Sequence, residues 1–194
     1  MARITSLAPG KVSAARDRLL QTASALFYSE GVNSVGVDRI VSEAGVTRAT
    51  FYRHFPSKQD LVLAYLQSAH DAIEQRASTA LAIEDPRARL RALGEDIADQ
   101  LHAPEFRGCA FIKAASEFAD PDEPIRQAVA AHRAWFAEVV RAPFAEAGHP
   151  TPDAAMRHFV MLRDGAMAAG CLSDPGPIGD TLLEAVEGIL RARG

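Results

Sequence analysis

The chain has 194 residues, a formal net charge of −4 and only two cysteines, Cys109 and Cys171. That length fits one larger domain or a small domain joined to a medium one, and two thiols are too few for a disulfide scaffold. No run of about eighteen apolar residues exists to span a membrane, and Met1 to Gly10 lacks the apolar run of a signal peptide.

These features predict a cytoplasmic protein with no membrane partner. Two buried thiols are the plainer expectation for Cys109 and Cys171, with a redox switch as the alternative. Charge is unevenly spread. Residues 1–58 hold eight Lys/Arg against four Asp/Glu, while residues 59–194 hold thirteen against twenty-one. A basic head on an acidic body suggests a polyanion partner at the head only.

Residues 1–11 read as a Pro- and Gly-containing arm, with Arg3 and Lys11 either solvated or grazing a phosphate backbone or the minor groove. Ser13 is a plausible cap for a first helix. In that helix Leu19, Leu20, Ala23, Leu26 and Phe27 recur at helical spacing, and Glu30-Gly31 stops it. A second helix opens after Gly36, with Val37, Ile40 and Val41 on one side. Ala44-Gly45-Val46 breaks it, because Gly45 can take a left-handed conformation without steric cost. Thr47 then caps a short helix from Arg48 to Phe55. Helix, Gly-containing turn and helix make a helix-turn-helix. Its second helix carries Arg48, Thr50, Tyr52, Arg53 and His54, which can reach base edges or phosphates, while Phe51 and Phe55 hold it to a core.

A long helix from Lys58 to about Ile83 follows, broken at Asp85-Pro86, and then a helix from Arg87 to Leu101. Phe111, Ala115 and Phe118 share a face, so residues 107–119 are expected to be helical. Asp120 to Pro124 is an acid- and proline-rich turn. Ile125, Val129, His132, Phe136 and Val140 form the next stripe, in a helix that Pro143 should kink or shorten. The last pair is expected at Asp153 to Leu172 and Ile178 to Leu190.

The stretch GVTRATFYRHFPSK at 45–58, extended upstream by GVNSVGVDRIVSEA at 31–44, closely resembles the TetR family of transcriptional regulators. Residues 107–124 and the helix after them resemble the C-terminal domain of one TetR subgroup. The resemblance implies an all-α fold of about nine helices. It has a DNA-binding head at 12–58 and a ligand-binding and dimerisation domain at 59–194. It also implies a homodimer through a four-helix bundle of 153–172 and 178–190, bound to a double-stranded DNA operator. By the same resemblance Thr47, Tyr52, His54 and Lys58 hold phosphates. Arg48 and Thr50 lie where base edges come within reach, with Arg48 reading a guanine or holding a phosphate. Arg16, at the start of the first helix, is a further phosphate candidate. The family usually has Ser or Thr where this chain has Gly36, which removes a hydroxyl there. Arg39 either substitutes for it or is simply solvated.

The resemblance further implies a ligand pocket in the body, placed among Phe106, Phe111, Phe118, His132, Trp135, Phe136, Met156 and Met161. Its ligand would be small and mostly apolar or aromatic. Each of these residues alone is as readily core packing. His132 reads as a core histidine, a pocket group or, least of all, a metal ligand.

No catalytic constellation, phosphate-cradling loop, cofactor motif or metal-ligand spacing is visible. Three function classes remain: a ligand-responsive repressor, a DNA-binding regulator without a small-molecule inducer, and a helical protein or enzyme that has lost DNA binding. The intact basic residues at 48–58 argue against the third.

Overall fold

The structure is a computed structural model that describes residues 13–191; Arg3 and Lys11 lie outside them. The described residues form nine helices: α1 (Ala14–Glu30), α2 (Val37–Glu43), α3 (Arg48–His54), α4 (Lys58–Leu81), α5 (Pro86–Leu101), α6 (Ala110–Glu117), α7 (Pro124–Glu146), α8 (Pro152–Ala169) and α9 (Pro175–Arg191). The fold is all-α, as predicted. Two compact units divide between Tyr65 and Leu66, within α4. The sequence places that boundary at Lys58, the start of the helix. The first turns of α4 belong to the head because Leu61, Val62 and Tyr65 are buried, and the Tyr65 ring meets Phe27 edge-on at 5.7 Å.

In the first unit α1, α2 and α3 pack on one another. Leu19, Ala23, Leu26 and Phe27 of α1 are buried, at the helical spacing that makes one apolar face. Leu20 is only half-buried, beside that stripe. Ile40, Phe51 and Phe55 complete the core. Gly45 holds the turn between α2 and α3 at φ 62°, the left-handed region that favours glycine. Thr47 caps α3 by accepting the Thr50 amide at 3.1 Å. Ser13 occupies the cap position of α1 but makes no capping bond with its side chain.

In the second unit α5 packs against α7, α8 and α9, α6 packs on α7, and α8 lies against both α7 and α9. Asp85 caps α5, accepting amides from Arg87 and Ala88, and Pro86 fills its first turn, where a missing N–H costs nothing. Two expectations change. The helix expected over 107–119 is shorter, because Cys109 holds its N-terminal cap position and Phe118 has already turned to extended backbone. Phe111 and Ala114 form its buried face, and Phe118 does not share it. Pro143 is buried inside α7, which ends soon after it at Glu146. The final helices begin on prolines, at Pro152 and Pro175, slightly earlier than periodicity suggests.

The cysteines also differ from expectation: Cys109 is buried and Cys171 is exposed. Cys171 lies in the turn after α8, where no second apolar face covers it. Its sulfur does sit close to Gly108, where an added Cβ would come within 3.0 Å of it. Gly108 has φ 87°, so the approach of these two segments depends on glycine.

Candidate nucleic-acid interface

The polar residues of α3 stand on an apolar base. Phe51 is fully buried, with Tyr52 edge-on at 5.1 Å and Phe55 at 6.2 Å. This packing fixes which side of the short helix faces solvent. Arg48 is exposed, Tyr52 is 50% exposed, and Thr50 is half-buried. His54, also half-buried, places Nε2 3.4 Å from the Ser13 hydroxyl at the start of α1. Arg16 lies over the Phe55 ring at 5.0 Å. The Thr47 and Thr50 hydroxyls are 3.0 Å apart. Thr47 Oγ1 is therefore already engaged by a capping amide and a neighbouring hydroxyl, and it would meet a phosphate with its remaining hydrogen-bonding capacity.

Two of the arginines picked out in this region, Arg48 and Arg39, are held by carboxylates. Arg48 donates from Nε to Asp38 Oδ1 at 2.6 Å and from Nη2 to Oδ2 at 2.8 Å. This fork raises the guanidinium pKa, through the hydrogen bonds first and the Asp38 charge second. Arg39 donates to Glu43 at 2.8 Å and doubly to Glu30 at 2.5 and 2.8 Å. Its pKa is raised as well, by the hydrogen bonds to Glu30 and then Glu43. Both arginines are solvent-exposed, so the pairs are weak and exchangeable in water. Arg39 has two acidic partners, and Arg48 one. Arg53, on the same short helix, is exposed and makes no ion pair or side-chain hydrogen bond among the described residues. Lys58 donates to the Val32 carbonyl at 2.7 Å and is half-buried at the start of α4. It ties the loop before α2 to α4 as well as carrying charge. Ser57 caps that helix, accepting the Asp60 amide at 3.1 Å.

The proposed pocket residues do not gather in one place. Phe111, His132, Trp135 and Phe136 form one aromatic cluster. The His132 ring stacks on Phe111 at 3.6 Å with the planes 4° apart, and Trp135 adjoins both His132 and Phe136. The cavity beside it is only about 10 Å³, room for about one water. Phe106 lies instead near Gly170. Phe118 caps the end of α6. Met156 is half-buried near the start of α8. Met161 is 71% exposed and lines a groove between α8 and α9.

Sequence reasoning missed His70. Its Nδ1 lies 3.0 Å from His132 Nδ1, and its ring meets Trp135 edge-on at 4.7 Å. No spacing signals a contact between residues 62 positions apart. His132 is held neutral, its pKa pushed down to about 3 by burial first and then by the charges of His70, Arg163 and Arg133. Asp38 was missed too, although its place ten positions before Arg48 in the helix-turn-helix was a usable hint.

Comparison with known proteins places this arrangement. A family model described as bacterial regulatory proteins, tetR family, matches residues 19–65, and one described as tetracyclin repressor-like, C-terminal domain, matches 86–154. The crystal structure of a TetR-family transcriptional regulator from Streptomyces coelicolor is 50% identical, with 92% of this chain and 95% of that chain covered and a TM-score of 0.89. The chain belongs to the TetR family. A second TetR regulator structure, from Streptomyces avermitilis, is 30% identical over 90% of this chain and 99% of that one, with a TM-score of 0.74. Among curated relatives, the HTH-type transcriptional activator FasR of Mycolicibacterium smegmatis is 40% identical over 85 residues, 43% of this chain and 39% of its own. The HTH-type transcriptional regulator LmrA of Bacillus subtilis is 27% identical over 124 residues, 62% of this chain and 66% of its own. The chain thus spans about two fifths of FasR and about two thirds of LmrA. As a TetR-family member it is a DNA-binding transcriptional regulator. Among the described residues no helix is long and apolar enough to cross a membrane.

Proposed function

We propose that this TetR-family chain is a dimeric repressor that binds a near-palindromic operator and is released by a small, mostly apolar ligand. The observation that carries the DNA-contact assignment is the capped α3, with Arg48, Tyr52 and Arg53 exposed on a fully buried Phe51 anchor. In this reading Arg48 and Thr50 approach base edges, and Thr47, Tyr52, His54 and Lys58 hold phosphates. DNA must displace Asp38 from Arg48, so the carboxylate holds the guanidinium in an extended pose until a guanine or phosphate replaces it. Arg39, with two carboxylates, is the weaker candidate. Arg53 joins the phosphate contacts.

The dimer is supported by the apolar groove of about 640 Å³ between α8 and α9, walled by Leu162, Ala166, Ile178 and Leu182, with Met161 at its exposed edge. Leu172, just beyond α8, is 84% exposed. The exposed Met161 of this groove and Leu172 beyond α8 call for a partner, and small residues such as Gly165, Ala166 and Ala169 allow close helix approach. Two heads add contact area and effective concentration to a single small interface. Sedimentation should give a species near twice 20.8 kDa. A strict monomer at micromolar concentration sinks the proposal.

Ligand control would run through α4, which passes from one unit into the other. Along α4, Tyr65 packs in the head against Phe27, while Ala69 and Ile73 are half-buried. His70 is the α4 side chain that meets the aromatic cluster. A ligand that parts His70 from His132 would shift α4 and spoil the spacing of two heads about one DNA turn, roughly 34–36 Å, apart. The coupling must be reciprocal: operator DNA weakens ligand binding by the same factor. The closed packing around Phe111 and His132 favours a second reading, a regulator with no small-molecule inducer. Operator affinity measured with and without a saturating ligand, alongside the head-to-head distance in solution, separates the two. Release with no change in that distance rules out the shift of α4.

A further inference from the structure

We propose that a pocket between α6 and α7 binds a small apolar monocarboxylate through Arg126. The pocket holds about 270 Å³ and adjoins the tiny cavity beside the aromatic cluster, sharing Phe111 and Arg133 with it. Ile112 and Ala115 of α6 and Val129 and Ala130 of α7 give it apolar walls, with Arg126 and Arg133 as its charged groups. The two arginines differ in what they already hold. Arg133 donates from Nη2 to Asp164 Oδ2 at 2.8 Å. Arg126 makes no ion pair among the described residues, and its Nε is buried with no hydrogen-bond partner.

A buried donor without an acceptor is costly, more so on a charged group, and native proteins rarely leave one. An oxygen acceptor entering the pocket would satisfy it. The surrounding charge favours an anion. Asp164 serves two arginines at once, taking Arg163 Nη1 at 2.9 Å as well as Arg133. Two guanidinium groups therefore share the Asp164 carboxylate, while Arg126 has no ion-pair partner among the described residues. A carboxylate matches the planar fork of arginine better than a neutral oxygen does. The volume lies just under the range of drug-sized pockets, which limits the apolar body to about one ring or a short alkyl chain. This site deepens the ligand part of the proposed function, on which any effect at the operator rests, while binding itself is read without DNA.

Calorimetry on the full chain, with no DNA present, tests it using benzoate, hexanoate and the uncharged isostere benzamide. Benzoate or hexanoate should bind, and benzamide should bind at least about tenfold more weakly, the ratio expected for a charge-assisted hydrogen bond. Arg126→Gln should bring carboxylate binding down to the benzamide level. Ala115→Leu, which fills the pocket but keeps Arg126, should weaken all three probes and guards against a folding defect in the first variant. The inference is overturned if benzoate and benzamide bind alike, if Arg126→Gln binds carboxylates as the parent does, or if neither carboxylate gives heat at millimolar concentration. None of these outcomes bears on operator binding, which stands or falls by its own assay.

Discussion

The head and the body put their polar chemistry in opposite places. In the unit ending at Tyr65 the interior is made of Leu19, Ala23, Phe27, Ile40, Phe51 and Phe55, and the arginines are at or near the surface. In the unit from Leu66 onward, His132 and Arg163 are buried. Arg163 donates to Cys109 Sγ at 3.3 Å and to Asp164, and His132 is held between Phe111 and His70. A head with an apolar core keeps its charges available for exchange, from a neighbouring carboxylate to a phosphate or base. A body with polar groups inside has interior interactions that depend on protonation and on what enters. This contrast is what a regulator needs if one part reads DNA and another part responds.

The largest test of the comparison is Phe51→Ala. Removing a fully buried ring from so small a core should cost about 3–5 kcal/mol and abolish operator binding. Hydrogen exchange would show whether protection is lost only up to Tyr65. Equal loss in α5 and α7 would break the picture of two separable units. Next is Arg48→Ala, which should remove about 1–3 kcal/mol of discrimination at one base pair in each half-site. Affinity measured over a set of half-site variants reads this directly, and uniform weakening at every sequence would assign Arg48 to phosphate instead. Lys58→Met should weaken all sequences alike and lower the salt slope by roughly one. It should also cost some stability, because the Val32 carbonyl loses the Lys58 hydrogen bond at 2.7 Å.

A fourth test sharpens the body side. The pKa of His132 is lowered from 6.5 to about 3, chiefly by burial. As pH falls below 6.5 the unfolded chain takes up this proton while the folded chain does not. Stability from this group is therefore complete above that value and is lost steadily as pH falls toward about 3. Urea unfolding at pH 7 and pH 5.5 should differ by about 1 kcal/mol from this residue. His132→Phe keeps a ring against Phe111 and should flatten the difference. An unchanged slope would mean that His132 is protonated in the native state. The smallest effect is expected at Gly36, the cap of α2, where φ is −85° and an added Cβ meets nothing within 4 Å. Gly36→Ser should add a few tenths of a kcal/mol, visible as a small rise in the urea midpoint, and supply a hydroxyl beside the proposed phosphate path.

Residues close together in the chain carried most of what could be read without coordinates. The stripe of Leu19, Ala23, Leu26 and Phe27, the Thr47 cap, the Gly45 turn and the Asp85-Pro86 break all depend on neighbours within one or two helical turns. The family pattern at 31–58 is built from such local features, so the fold and the helix-turn-helix were legible. Tertiary packing decided the rest. Asp38 reaches Arg48 because the turn at Gly45 brings α2 and α3 together, and Arg39 meets Glu30 across the end of α1. Phe118 leaves the face of Phe111 because α6 stops one residue before it, and four of the eight suggested pocket residues lie apart from the Phe111–His132–Trp135–Phe136 cluster because helical spacing does not say which helix lies opposite. The contact of His70 with His132 joins α4 to α7, and the orphaned Nε of Arg126 is defined by an acceptor that no neighbouring element supplies. Helical periodicity encodes which face of a helix is apolar; which polar side chains meet, and which are left without a partner, is set only when the helices pack.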